Sequence, residues 1–241
     1  HVARLLQLPH HRILAVHFFL HATVVLYARH LFKQCGISVG ARYSCFVYAI
    51  NDSVVHTKDS IQANDSVLLE SSAGDISNSS SITATNGSVE INGNGDVNNT
   101  GANISAGNNV SITAATGTLS NSSAITAANN VSITSTAGAV ENSSAVTASG
   151  SVEISGSNVS NSGTVTTTGG SVTISGNGSV NNSANITATG GSVEISGNGG
   201  IENTANIEAS KDVSMTASAG SINNSSDSTV AASGGSVSMS G

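Results

Sequence analysis

The sequence predicts an all-β fold, a single-stranded parallel β-helix wound at about 21 residues per coil over residues 51–241. Three observations predict it. Apolar residues come in pairs separated by one residue, which is the period of a strand. The pairs are of three kinds, and the kinds recur in a fixed order along the chain. Gly, Asn and Ser separate them, which is turn chemistry.

The first kind is Val-x-Ile: Val67 with Leu69, Val89 with Ile91, Val110 with Ile112, Val131 with Ile133, Val152 with Ile154, Val172 with Ile174, Val193 with Ile195, Val213 with Met215 and Val237 with Met239. From Val89 to Ile195 these pairs are expected to form the core stack. The second is an apolar residue followed two places on by asparagine: Ile76 with Asn78, Val97 with Asn99, Leu119 with Asn121, Val140 with Asn142, Val159 with Asn161, Val180 with Asn182, Ile201 with Asn203 and Ile222 with Asn224. The third is Ile or Val followed by a small residue, from Ile61 with Ala63 through Ile125 with Ala127 to Val230 with Ala232, Thr167 being the departure.

Three short strands and three turns within one repeat rule out a helical repeat, because positions i and i+2 lie on different faces of a helix. The chain must therefore wind. If each repeat is one coil, equivalent residues stack about 4.8 Å apart, and every inward Ile rests on the Ile of the coil below. Ile112 and Ile133 are then vertical neighbours, and the rod is roughly 40 Å long. A single coil buries too few aliphatics to offset its ordering entropy, so coils must stabilise one another. The asparagine at fixed offset from Val or Ile is expected to turn inward and pair its amide with the asparagine above and below. Gly93, Gly95, Gly176, Gly178, Gly197 and Gly199 are expected at corners needing positive φ.

Residues 1–50 read differently. All seven aromatics, both cysteines (Cys35, Cys45), Pro9 and five of the seven Lys/Arg lie before residue 50, while all fourteen Asp/Glu lie after it. Five cations before the boundary, and fourteen acids against Lys58 and Lys211 after it, give +5 and −12. The apolar run Ile13–Ala28 behind Arg4 and Arg12 is short for a membrane span and has a poor cleavage site. It is read as an atypical targeting segment, a spurious upstream extension or a helical cap. His10, His11, His17, His21 and His30 are read as incidental, since no acidic residue is present in the head to complete or orient a metal site. Cys35 and Cys45 are compatible with a disulfide or with free thiols.

The cadence NSSAVTASGSVEIS from Asn142, and NSANITATGGSVEIS from Asn182, resembles the repeats of filamentous haemagglutinin-type adhesins, exported by two-partner secretion in Gram-negative bacteria. The resemblance covers residues 54–241 and implies a right-handed β-helix that is secreted or held at the cell surface. It implies a role as the shaft of an adhesin or of a contact-dependent toxin carrier. An outer-membrane transporter would serve export, and host or neighbouring-cell receptors or glycans would be met through parts outside this sequence. Pro9 is the only proline, so the asparagine-proline motifs of that family's secretion domain are missing. The chain is expected to be a piece of shaft.

The same pattern bears on chemistry. Glu90, Glu153 and Glu194 share one outward position, but Ser111, Ser132 and Thr173 occupy it in the intervening coils, so no paired acid and base is expected. A carbohydrate-acting β-helix enzyme is the rival reading. Asp96 in GNGDVNN stands alone, where a calcium-binding nonapeptide needs Asp in consecutive turns. An ice-binding solenoid would use the outward file Thr126, Thr147, Thr166 and Thr187, which Ser105, Glu208 and Ala231 interrupt. The acidic repeat disfavours nucleic acid. No cofactor and no metal is expected.

Overall fold

The computed structural model describes residues 44–49, 53–56 and 60–241 in full, together with the backbones of strands Leu6–Gln7, Phe18–Leu20, Val24–Ala28, Phe32–Gln34 and Val39–Ala41. All regular structure among these residues is β, arranged as three parallel sheets. Five-residue strands such as Val110–Ala114 and Val131–Ser135 form the long-strand sheet. Three-residue strands such as Leu119–Asn121 and Val140–Asn142 form the asparagine sheet, and Ile125–Ala127 and Val146–Ala148 belong to the alanine sheet. The chain visits the sheets in that order and then repeats, so each strand pairs only with its counterparts one coil before and after. Ile112 pairs with Ile133 and Ile133 with Ile154, which makes them vertical neighbours.

The isoleucine stack is continuous from Ile91, which pairs with Ile112, to Ile195, which pairs with Ile174. Beyond its two ends the expectation of Ile upon Ile is corrected. Ile91 is stacked on Leu69 and Ile195 on Met215, both fully buried, so the position demands an unbranched or branched aliphatic of similar volume and not isoleucine itself. The companion valines, Val89 and Val193 among them, are buried in the same way.

Burial follows the two-residue period. Along Val131–Ser135 the first, third and fifth residues are buried, and the intervening Ser132 and Thr134 face outward. Ile91, Ile112, Ile133, Ile154 and Ile195 are fully buried, in one core with Leu119, Val140 and Ile125 from the other two sheets. Alanine completes the third sheet. Thr167 takes an alanine position there at 0% exposure, and its hydroxyl is accommodated because Oγ1 donates to the Gly170 carbonyl at 2.9 Å.

Coil length varies while strand register does not. Val110 to Val131 spans 21 residues, Val152 to Val172 spans 20 and Val213 to Val237 spans 24, yet each pair is in register. The corners absorb the difference. From Asn203 to Ile207 is four residues, whereas Asn224 to Val230 is six, the extra pair being held in a turn closed by Ser228 N–H on the Ser225 carbonyl. A one-residue slip in a strand would turn its aliphatics to water, so length is free only where the chain is outside the core.

Two further expectations are corrected. Among the described residues positive φ is found at Gly101 and Gly200, not at Gly93, Gly95, Gly176, Gly178, Gly197 or Gly199. Those glycines answer a demand for space: a Cβ on Gly93 would fall 2.6 Å from Val97 Cγ2, inside the tight bend that follows the long strand. The other is the helical cap, one of the three readings of the apolar run before residue 50. Val24–Ala28 carries strand, paired in register with Cys45–Ala49, which pairs in turn with Val67–Ser71. Cys45, Val47 and Ala49 point inward as the repeat requires, while Phe46 and Tyr48 stand outside with their rings stacked at 6.4 Å. The five histidines read as incidental, and Cys35, lie outside the described residues.

Candidate functional site

Asparagine side chains run up the inside of one sheet as a continuous ladder. The Nδ2 of Asn78 donates to Oδ1 of Asn99 at 2.7 Å, and the same bond, at 2.7 or 2.8 Å, links Asn99 to Asn121, Asn121 to Asn142, Asn142 to Asn161, Asn161 to Asn182, Asn182 to Asn203 and Asn203 to Asn224. All but Asn224 are buried, so each amide would be costly without its partners. The second N–H turns to the corner: Asn142 donates to the Ser144 carbonyl and Asn203 to that of Ala205. His56 occupies the same position one coil before Asn78, fully buried, and its Nδ1–H donates to Asn78 Oδ1.

A second set of bonds lies at the corners, on residues that immediately precede strands; it runs unbroken only before the long strands. Before the long strands, Ser44 Oγ accepts the backbone N–H of Ser66, and Ser66 accepts that of Ser88. The chain of acceptance continues through Asn109, Asn130, Ser151, Ser171, Ser192 and Asp212 to Ser236. Before the asparagine strands, Asp75 Oδ1 accepts from Asp96 N–H and Asp96 Oδ1 from Thr118 N–H, so Asp96 is a corner cap. Asn185 and Asn206 do the same before the alanine strands. Sequence reasoning missed these ladders, although a Ser, Asn or Asp immediately before each Val of the first pattern was there to be seen. Asp212 shows the electrostatic consequence: the N–H and hydroxyl of Ser236 both donate to it, which lowers its carboxyl below the usual range.

The outer faces differ in width. Three-residue strands offer one outward file each, so the threonines 126, 147, 166 and 187, in register, have no parallel file beside them on the alanine sheet. The long-strand sheet offers two files, about 6.6 Å apart along the strand. One reads Glu90, Ser111, Ser132, Glu153, Thr173, Glu194 and Ser214, with Glu153 and Glu194 separated by Thr173. The other, from Thr113 through Thr134, Ser155, Ser175 and Ser196 to Thr216, is hydroxyl in every coil. No group of three or more His, Cys, Asp or Glu side chains able to hold a metal ion occurs among the described residues.

One corner interrupts the regular outline. Ile133 to Val140 takes seven residues and Ile174 to Val180 six, but Ile154 to Val159 takes five. Beside the short corner lies a notch of about 200 Å³, lined by hydroxyls, by Gly156 and by the Asn177 amide. Comparison of the chain with protein-family models, curated proteins and solved structures finds no match.

Proposed function

We propose that the chain is a structural shaft, a β-helical stalk of an exported bacterial adhesin or contact-dependent toxin carrier, which works by reach and display and not by catalysis. The observation that carries the reading is the unbroken vertical register of the core and of the asparagine ladder. Each coil is held to the next by hydrogen bonds at the strands, inside the core and at the corners, an arrangement that favours stiffness along the axis. From Cys45 to Val237 the long-strand sheet counts nine coil-to-coil steps, roughly 43 Å at the parallel-strand spacing. The low charge and hydroxyl-rich exterior suit a solvated rod, and the cadence shared with haemagglutinin-type repeats supports the surface location.

The test is made in the bacterium that carries the gene. Protease added to intact cells is expected to remove the protein, and deletion of its outer-membrane transporter to retain it inside. Retention in the cytoplasm of normal cells would refute the surface role. In solution, small-angle scattering is expected to give a rod, without thermal hysteresis; hysteresis that rises with protein concentration would favour an ice-binding face instead. Hydrolysis of a polysaccharide panel by the purified chain would favour the enzyme.

A further inference from the structure

We infer that the notch at the short corner binds a neutral sugar unit, so that the shaft meets glycan along its side. The inference rests on the shaft reading for its setting, but the site itself is built by the chain. The corner between Ile154 and Val159 is two residues shorter than that of the preceding coil, and the notch lies beside it. Thr134, Ser155 and Ser175 come to its lining from the hydroxyl file, and Thr136 and Asn177 from the corners of the coils before and after.

The lining selects the chemistry. No charged side chain lines the notch, so neither a phosphate nor a metal ion finds a counter-charge there. No large apolar side chain lines it either, which disfavours a hydrophobic ligand. What it offers is a dense set of groups that can donate and accept, the match for a ligand made of neutral hydroxyls.

Several of these groups are uncommitted. The Thr136 hydroxyl, the Ser175 hydroxyl and the Asn177 side-chain amide make no hydrogen bond to another described residue, while Thr134 and Ser155 meet at 3.1 Å and Thr134 also meets the Ser132 hydroxyl at 3.4 Å. Ser135 is buried and committed, donating to the Gly117 carbonyl at 2.6 Å and accepting from Gly138 N–H, so it is a fixed part of the lining. A volume of about 200 Å³ is below the range of about 300–1,000 Å³ that encloses a drug-sized ligand, and suits one sugar ring. The hydroxyl file continues through Thr113 below and through Ser196 and Thr216 above, giving adjoining sugars of a chain laid along the rod further partners.

Saturation-transfer NMR on the full chain, with cellobiose, maltose, lactose and diacetylchitobiose as probes, tests this. Transfer to at least one of them is expected. It is expected to vanish in Ser155→Phe, which fills the notch from outside, and to persist in Ser214→Phe, three coils away on the same sheet. Asn177→Ala should weaken binding about fivefold, the worth of one hydrogen bond. Circular dichroism identical to the parent shows that each variant still folds. No transfer from any probe, or transfer unchanged by Ser155→Phe, would overturn the site. Neither result bears on the scattering and cell-surface measurements, so the shaft reading stands or falls separately.

Discussion

Replacing Asn142 by alanine tests whether the internal ladder holds the coils together or only fills space. The side chain accepts from Asn121 Nδ2 at 2.7 Å and donates to Asn161 Oδ1 at 2.8 Å and to the Ser144 carbonyl at 2.9 Å. Truncation leaves the Asn121 amide N–H and the Asn161 carbonyl oxygen facing an empty site, in residues 1% and 0% exposed. A buried group left without its partner costs about 1–3 kcal/mol, so two such groups cost about 2–6 kcal/mol, and the amide-sized void adds to this. The same change at Asn224 removes the last rung, where the side chain is only half-buried and water can replace it, and should cost about 1 kcal/mol. Guanidinium titration followed by circular dichroism gives the global effect. Hydrogen exchange read coil by coil locates it, which matters because a solenoid can open regionally. The expected result is a large loss of protection centred on residues 121–161 for Asn142→Ala and little change for Asn224→Ala. Equal losses below about 1 kcal/mol at both sites would refute the reasoning, since the ladder would then be worth no more than exposed hydrogen bonds.

Ile133→Asp places a carboxylate among fully buried aliphatics and is expected to cost more than about 4 kcal/mol, exposing the middle coils to limited proteolysis; an intact digestion pattern would contradict it. Asp212 has a lowered folded-state pKa, so the contribution of its bonds to Ser236 is present above the ordinary carboxylate value of 3.8 and is lost as pH falls through the lower folded value. Amide exchange at Ser236, corrected for its intrinsic pH dependence, should therefore rise on acidification in the parent and be pH-insensitive in Asp212→Asn. The Cys45 thiol is pushed up to about 12 by burial, so iodoacetamide at pH 8 should leave it unmodified in the native protein and alkylate it in guanidinium. Rapid alkylation of Cys45 itself in the native chain, located by peptide mapping, would show that the first fully described coil is open.

Much of the fold could be read from residues alone because a solenoid turns a three-dimensional constraint into a sequence period. The spacing of Val110 and Ile112, repeated at Val131 and Ile133, names both the strand and its vertical neighbour. The asparagine positions were equally plain, since a polar residue at a constant offset from an aliphatic must meet its own image one coil on. The first coils were missed for a definite reason. At Cys45–Ala49 the inward residues obey the pattern, but Phe46 and Tyr48 occupy the outward places and erase the alternation of apolar with polar. His56 likewise hid a ladder position behind a different side chain.

The sequence by itself determined the winding, the register and the identity of what is stacked, because burial of every second side chain leaves a strand no alternative. Only the tertiary structure decided the role of the corners: which glycines need space and which need positive φ, how Ser, Asn and Asp before the long strands cap the coil above, and where a notch lies beside a shortened corner. Those features depend on the backbone of one coil lying directly over that of another. That proximity arises between residues about twenty apart, so a Ser, Asn or Asp before a strand gains its role only once the coils are stacked.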